Sequence, residues 1–202
     1  MKTLFVVGPH ASGKTYSIKK YLSEDSEESK KTVIDTGPIM RELHKKSGTD
    51  KNIGEWVCEL ENQYGPEITS EIIANEIKRR IKSSGKEDSI IIGYRTFGSI
   101  DYLLRKLDIE DFKILYIDAP MSLLFSNYSR REGNKKSLNE FEKYINEEER
   151  SGLIELKAYA MLGHENFDYF YKSNNEETFC HLLSNYFEKP KMKVLRDEQK
   201  AN

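Results

Sequence analysis

Gly8-Pro9-His10-Ala11-Ser12-Gly13-Lys14-Thr15 is the stretch on which the reading of this chain turns. It fits G-x-x-x-x-G-K-[ST], the phosphate-binding P-loop. In front of it stands Thr3-Leu4-Phe5-Val6-Val7, a short run of apolar β-branched and aromatic residues that reads as a buried strand. Behind it, Ile18 and Leu22 lie four apart, as on one face of a helix beginning at Thr15. Strand, glycine loop and helix are the context in which the motif holds phosphate. Successive N–H groups turned inward make an anion nest, and the helix adds the positive end of its dipole. Gly8 and Gly13 allow backbone conformations that a side chain forbids. Lys14 is spaced to reach the β- and γ-phosphates, and the Thr15 hydroxyl to ligate Mg²⁺. His10, Ala11, Ser12 and Tyr16 complete the nucleotide-binding set, with His10 a spacer in the loop rather than a base. ATP and Mg²⁺ are the expected ligands.

The length of 202 residues suits one domain with a real core. Charged residues make up 33% and hydrophobic ones 37%, and no apolar run approaches the ~20 residues of a membrane span. The N-terminus enters a strand directly, with no secretory signal pattern. Lys and Arg (32) nearly balance Asp and Glu (34), which argues against a dedicated nucleic-acid binder. Cys58 and Cys180 lack metal-ligand spacing and are expected reduced, in a cytoplasmic protein. The sequence carries no signal for an oligomeric state.

Further strands are read at Thr32–Asp35, Ser89–Ile92, Phe112–Ile117 and Phe167–Tyr171. Between them run helical patterns: Ile68, Ile72, Ile73, Ile77 and Ile81 on one face from Glu67 to Lys82, then Leu103, Leu104 and Leu107 after Gly98. Pro120 suits a first helical position ahead of Leu123-Leu124-Phe125. Phe179, Leu182, Leu183, Tyr186 and Phe187 make a last amphipathic face. Strands alternating with helices imply an α/β fold, a five-stranded parallel sheet wrapped on both sides. Glu24–Lys31 reads as a charged surface loop, and residues 188–202 as a flexible tail whose Lys189, Lys191, Lys193, Arg196 and Lys200 are locally basic.

Ligands of such sheets collect at the carboxyl edge. There Asp35 ends the second strand and leads into Gly37 and Arg41, and Gly93-Tyr94-Arg95 follows the third. An acidic residue about 20 positions after a glycine loop also fits a dinucleotide fold, but the loop lacks G-x-G-x-x-G. Arg130 and Arg131 stand after the Pro120 helix, in a polar stretch reaching Lys136 that reads as a lid over the triphosphate. These residues suit phosphoryl transfer, which needs positioning and charge neutralisation. Arginine offers planar, bidentate contacts to phosphate oxygens. Lys14, Asp35, Arg95, Arg130 and Arg131 are therefore the candidate catalytic set. Asp35, Gly37, Arg41, Tyr94 and Arg95 are the candidate acceptor set, and Trp56, Tyr64 and Tyr94 the stacking candidates. Asp35 also suits a helix cap.

The blocks Val33-Ile34-Asp35-Thr36-Gly37-Pro38-Ile39-Met40-Arg41-Glu42-Leu43, Asn52-Ile53-Gly54-Glu55-Trp56-Val57, Tyr64-Gly65-Pro66-Glu67, Ile91-Ile92-Gly93-Tyr94-Arg95, and Gly152-Leu153 to Ala160 with Phe167-Asp168-Tyr169 follow the P-loop in order. In that order the chain, from about Lys2 to Phe187, resembles the nucleoside-monophosphate-kinase branch of P-loop kinases. Within it, the dephospho-CoA-kinase-like nucleotide kinases are the most similar group. The resemblance implies a three-layer kinase domain over residues 1–187, with acceptor-binding helices at about 38–84 and a lid at about 130–139. It departs at Ile92, where the family has an aspartate that helps hold the metal's water shell; Asp35, Asp118 or a water bridge would have to substitute. Three readings stay open. The first is a kinase of a small acceptor, a (deoxy)nucleoside monophosphate or a dephospho-CoA-type hydroxyl. The second is a module that binds nucleotide without turnover, and the third a kinase of a modified nucleotide in nucleic acid.

Overall fold

The computed structural model describes residues 1–24, 30–133, 135–172 and 176–187; the expected tail at 188–202 and most of the 24–31 loop lie outside them. Five strands, β1 (Thr3–Val7), β2 (Lys31–Asp35), β3 (Asp88–Ile92), β4 (Phe112–Asp118) and β5 (Phe167–Tyr171), form one sheet in the order β2-β3-β1-β4-β5. All four pairings are parallel. The five-stranded parallel sheet expected from the alternating pattern is present, with strand bounds within a residue of the sequence reading.

Strand alternation divides the core. On β1, Phe5 and Val7 face one layer with Ile34, Ile91, Ile114 and Tyr116, while Leu4 and Val6 face the other with Ile90, Ile92, Leu115 and Ile117. The first layer is closed by Ile39 of α2 (Thr36–Ser47), Ala74 and Ile77 of α4 (Ile68–Ser84), and Ile100, Leu103 and Leu104 of α5 (Phe97–Leu107). Leu156 and Ala160 of α8 (Ile154–Met161) complete it. The second is closed by Ile18, Tyr21 and Leu22 of α1 (Lys14–Glu24) and by Phe179, Leu183 and Phe187 of α9 (Glu176–Phe187). Three layers result. A separate small cluster, Ala119, Leu124, Tyr128, Phe141 and Ile145, joins α6 (Met121–Glu132) to α7 (Leu138–Glu148). The short α3 (Ile53–Tyr64) packs between α2 and α4.

Three local readings change. Pro120 is the N-cap of α6 rather than its first residue. Arg130 and Arg131 lie in the last turn of α6, which stops only at Gly133, so they are helical and not part of a loop. The amphipathic helix placed after Gly98 begins earlier, because Thr96 caps it by accepting from the Ser99 N–H at 3.2 Å. No helix among the described residues is long and apolar enough to cross a membrane.

Between α7 and α8 the chain makes a π-helical turn, Glu149–Leu153, broken at Gly152 with φ of 132°. A Cβ on Gly152 would stand 2.6 Å from Thr96 Cγ2 and 2.8 Å from the Arg95 carbonyl oxygen. The joint therefore rests on the backbone that leaves β3, a contact only glycine allows. Gly152→Ala should destabilise the fold by about 2–4 kcal/mol in chemical denaturation, from the left-handed strain and the backbone clash together. Gly163→Ala, at φ of 67° with nothing within 4 Å of its Cβ, should cost only about 1 kcal/mol. Equal costs would show that the close approach at Gly152 does not matter.

Candidate functional site

β1 is central, so the loop leaving it must pass between its neighbours. Gly8 makes that passage at φ of 135°, where a Cβ would lie 2.1 Å from the Ile117 carbonyl oxygen of β4. Beyond it the loop turns (Ser12 N–H to the Pro9 carbonyl, 3.2 Å) and runs into α1, whose first bond is Ser17 N–H to the Gly13 carbonyl at 2.9 Å. Together with the ends of β2 and β3, α6 and α7, the loop lines a cleft of about 1470 Å³. Gly8, His10, Ala11, Gly13, Lys14, Thr15 and Tyr16 all line it, as do Asp35, Gly37, Arg41, Arg95, Arg130 and Arg131. The structure thus brings most of the sequence-selected residues to one opening; Ser12 is buried beneath it.

The Lys14 ammonium folds back on its own loop, donating to the carbonyls of Gly8 and Pro9 at 2.8 Å each and to Ser12 Oγ at 3.2 Å. Its partners are neutral oxygens. Burial lowers its pKa to about 8, opposed by Glu148 and aided by Arg95. A desolvated cation in a glycine loop at the start of a helix suits an anionic ligand, so the loop fits a polyphosphate.

The Thr15 hydroxyl donates to Asp35 Oδ2 at 3.1 Å, while Asp35 Oδ1 caps α2 by accepting from the Gly37 N–H at 3.0 Å. The cap and the cleft role read for Asp35 are compatible, since one carboxylate oxygen serves each. A hydroxyl and a carboxylate side by side at the loop's mouth fit a Mg²⁺ that keeps most of its waters and rides on phosphates. No cluster of three or more His, Cys, Asp or Glu side chains able to cage a metal occurs among the described residues. Ile92 is the Cα partner of Asp35 on the neighbouring strand, and its side chain is 1% exposed, packed in the core. Its carbonyl accepts from the Thr36 hydroxyl at 3.1 Å.

Sequence reasoning missed Glu148. Its side chain is 3% exposed, yet it lines the cleft and pairs with the Arg95 guanidinium at 2.7 Å. Oε2 accepts from the backbone N–H of His10, and Oε1 from the Tyr144 hydroxyl, both at 2.8 Å. Burial, then Glu148, push the Tyr144 phenol up to about 12, so it remains a donor. His10 is lowered to about 4 by burial and by Arg131, so its ring is neutral at pH 7 and accepts from the Arg131 guanidinium. The histidine is more than a spacer: its ring meets Tyr144 edge-on at 5.5 Å and ties the loop to α6 and α7. Asn127 and Lys172 were also missed. Asn127 Nδ2 donates to the Ala11 carbonyl at 3.0 Å and its Oδ1 accepts from Arg130 at 3.0 Å. Lys172, after β5, donates to Ser17 Oγ at 3.0 Å and lies over the exposed ring of Tyr16.

Two selected residues are elsewhere. Tyr94 is not on the acceptor side: Gly93, at φ of 107°, turns the chain so that the ring packs edge-on against Phe5 at 5.8 Å in the core. Asp118 is withdrawn from any metal role, because Lys157 (2.9 Å) and the Tyr169 hydroxyl (2.7 Å) hold its buried carboxylate. Of the other stacking candidates, Trp56 is buried against His44, and Tyr64 is exposed but away from the cleft lining. Arg41, by contrast, lies over Gly37, with its terminal nitrogens 3.4 and 3.7 Å from where a Cβ would stand.

No family model and no curated protein sequence matches the chain. Solved structures do. The tunicamycin resistance protein of Deinococcus radiodurans superposes with a TM-score of 0.56 at 12% identity, over 91% of this chain and 94% of that one. Shikimate kinase of Bacteroides thetaiotaomicron gives 0.53 at 15% identity, over 91% and 97%. An uncharacterized protein of Eubacterium ventriosum gives 0.55 at 12% identity, over 92% and 97%. At these identities the likeness is one of fold, the five-stranded parallel sheet wrapped by helices.

The Lys14 geometry sets a pH dependence. A bound polyanion raises the lysine's pKa, so binding draws a proton onto it whenever the free protein has lost it. Affinity for inorganic tripolyphosphate, measured calorimetrically, should be level just below pH 8 and fall as pH rises through about 8, by up to about tenfold per pH unit. Lys14→Arg should remove that fall; a decline that survives the substitution would assign it to another group.

Proposed function

We propose that the protein transfers the terminal phosphoryl group of Mg-ATP to a small phosphate-bearing acceptor, foremost a ribo- or deoxynucleoside monophosphate. The observation that carries this reading is Arg41. Its guanidinium lines the same cleft as the loop, lies over Gly37 and forms no ion pair with a carboxylate among the described residues. An arginine held over a glycine at a helix's first turns, facing an anion nest, suits a second phosphate.

In this reading the loop amides and Lys14 hold the donor's phosphates, and Mg²⁺, held by Thr15 and Asp35, would offset charge on the β- and γ-oxygens. An acceptor phosphate bound at Arg41 and Arg95 presents an oxygen that is already ionised near pH 7, its second pKa lying near 6. That oxygen bonds to the γ-phosphorus as the bridge to the β-phosphate breaks, and ADP leaves with the bridging oxygen. No general base is needed. Helices α2 to α4 would shape the acceptor pocket, and Arg130 and Arg131, at the end of α6, would meet the transferring group as the lid closes and excludes water. Tyr16 and Lys172 flank the loop at the start of α1, on the donor side.

One observation favours a second reading. Asp35 presents a carboxylate oxygen to the cleft, and such a group can take the proton of a sugar hydroxyl, as a dephospho-CoA-type acceptor would require. The two readings separate in an acceptor screen that follows ADP formation from Mg-ATP over nucleoside monophosphates and dephospho-CoA. A monophosphate should raise turnover, and Lys14→Ala should abolish it. Arg41→Ala should raise the acceptor's KM about 10- to 100-fold with little change for ATP, the range of a lost charged hydrogen bond. Equal effects on both substrates would take Arg41 off the acceptor side. Nucleotide binding without turnover on any acceptor would leave a binding module.

A further inference from the structure

Glu148 is a buried carboxylate that lines the cleft and bonds to the loop. Its two oxygens take hydrogen bonds from three separate parts of the site: the His10 N–H of the loop, the Arg95 guanidinium beyond β3 and the Tyr144 hydroxyl of α7. Loop N–H groups and arginines are what a terminal phosphate uses. The side chain is nearly inaccessible at 3% exposure, so the contact is built into the fold and is not a surface encounter.

We infer that Glu148 is a positioning residue that stands in for the donor's terminal phosphate, holding Arg95 until the arriving phosphate takes its place. The inference rests on the reading of the loop as a triphosphate site. A terminal phosphate beside a buried carboxylate is a like-charge pair in poor solvent, and both compete for the same donors. The phosphate brings more charge and more acceptor oxygens, so the carboxylate yields. Its place in the chain permits this: Glu148 ends α7 and enters the π-helical turn with the Gly152 break, where the helical ladder is already interrupted. The apolar anchors of α7, Phe141 and Ile145, belong to the cluster shared with α6 and not to the two sheet layers, while the Gly152 joint stays seated on the backbone leaving β3. Once released, Arg95 is free for the transferring or the acceptor phosphate. A diphosphate lacks the group that displaces Glu148 and leaves the Arg95–Glu148 pair intact. The consequence is an order: triphosphate first, then acceptor.

The test is binding, not turnover. Calorimetry with the non-hydrolysable triphosphate Mg-AMPPNP and with Mg-ADP is run on the wild-type protein and on Glu148→Gln, which keeps the shape and removes the charge. E148Q should bind AMPPNP about tenfold or more tighter and ADP within about twofold of wild type, because only the terminal phosphate meets the carboxylate. In the wild-type protein, the Arg95 Nε–H resonance, assigned by its loss in Arg95→Lys, should shift with AMPPNP and not with ADP. This second readout decides the matter even where E148Q fails to fold. Equal weakening of both nucleotides in E148Q, or an Arg95 signal indifferent to AMPPNP, would overturn the inference while leaving the triphosphate site standing. A wild-type protein that binds neither nucleotide would overturn the triphosphate reading and this inference with it.

Discussion

The close passage of Gly8 past the Ile117 carbonyl governs the rest of the site. Because β1 lies between β3 and β4, its chain can leave the sheet only along the edge of a neighbour, and here the clearance excludes even one Cβ. That passage carries the loop over the carboxyl edge of the sheet to the start of α1 at Lys14. It also brings Thr15 within reach of Asp35, two strands away in the sheet. Backbone donors turned into a partly buried cleft need acceptors. One of them, His10 N–H, has an acceptor in Glu148. The loop that this glycine lets through is thus bonded to a carboxylate at either end, Asp35 through Thr15 and Glu148 through His10.

Charge in the cleft runs against charge in the chain. The whole protein carries a formal net charge of −2, yet the cleft lining holds six cationic side chains (Lys14, Arg41, Arg95, Arg130, Arg131, Lys172) and three carboxylates (Asp35, Glu132, Glu148). Low-dielectric walls focus such an excess and draw polyanions to it. The three carboxylates are not spread evenly. Glu132 pairs with Arg131 at 2.9 Å and Glu148 with Arg95 at 2.7 Å, whereas Lys14 donates to the neutral oxygens of Gly8, Pro9 and Ser12 and Arg130 to the Asn127 amide oxygen. Lys14 stands on the loop and Arg41 on α2, the two elements that Asp35 joins through Thr15 and Gly37, and in the proposed transfer they serve the two anionic ligands.

Much of this was legible in the sequence, for physical reasons that differ by element. The central strands β1, β3 and β4 announced themselves through short apolar runs buried on both faces, and the P-loop through glycines at positions where side chains cannot fit. Tyr94 was not legible: it follows Gly93, and a backbone turned by a positive φ sends the next side chain to a face that spacing alone does not reveal. The helical state of Arg130 and Arg131 was hidden by their polarity, since α6 buries only Leu124 and Tyr128 and its end is marked by Gly133 rather than by composition. Glu148 was masked by the acidic run Glu147-Glu148-Glu149, which looks like a solvated face. A signal did exist. Phe141, Ile145 and Glu148 stand at i, i+4 and i+7 on α7, so the glutamate occupies the stripe reserved for buried residues, and a carboxylate there requires partners.

The isoleucine at the end of β3 gains its meaning from the sheet register. Ile92 alternates onto the layer closed by α1 and α9, where an apolar side chain is required, and it pairs across with Asp35 at the end of β2. The carboxylate at this level of the sheet is thus carried by β2 and not by β3. That placement decides what the carboxylate is attached to. On β3 it would be independent of the acceptor side, whereas Asp35 is the N-cap of α2, the helix that bears Arg41. Thr15 of the loop and α2 thereby share one carboxylate, as His10 of the loop and Arg95 after β3 share Glu148. Each half of the proposed site is bonded to the other through an acid at either end. Removing either acid would both alter the charge at the phosphates and uncouple the placing of the two ligands.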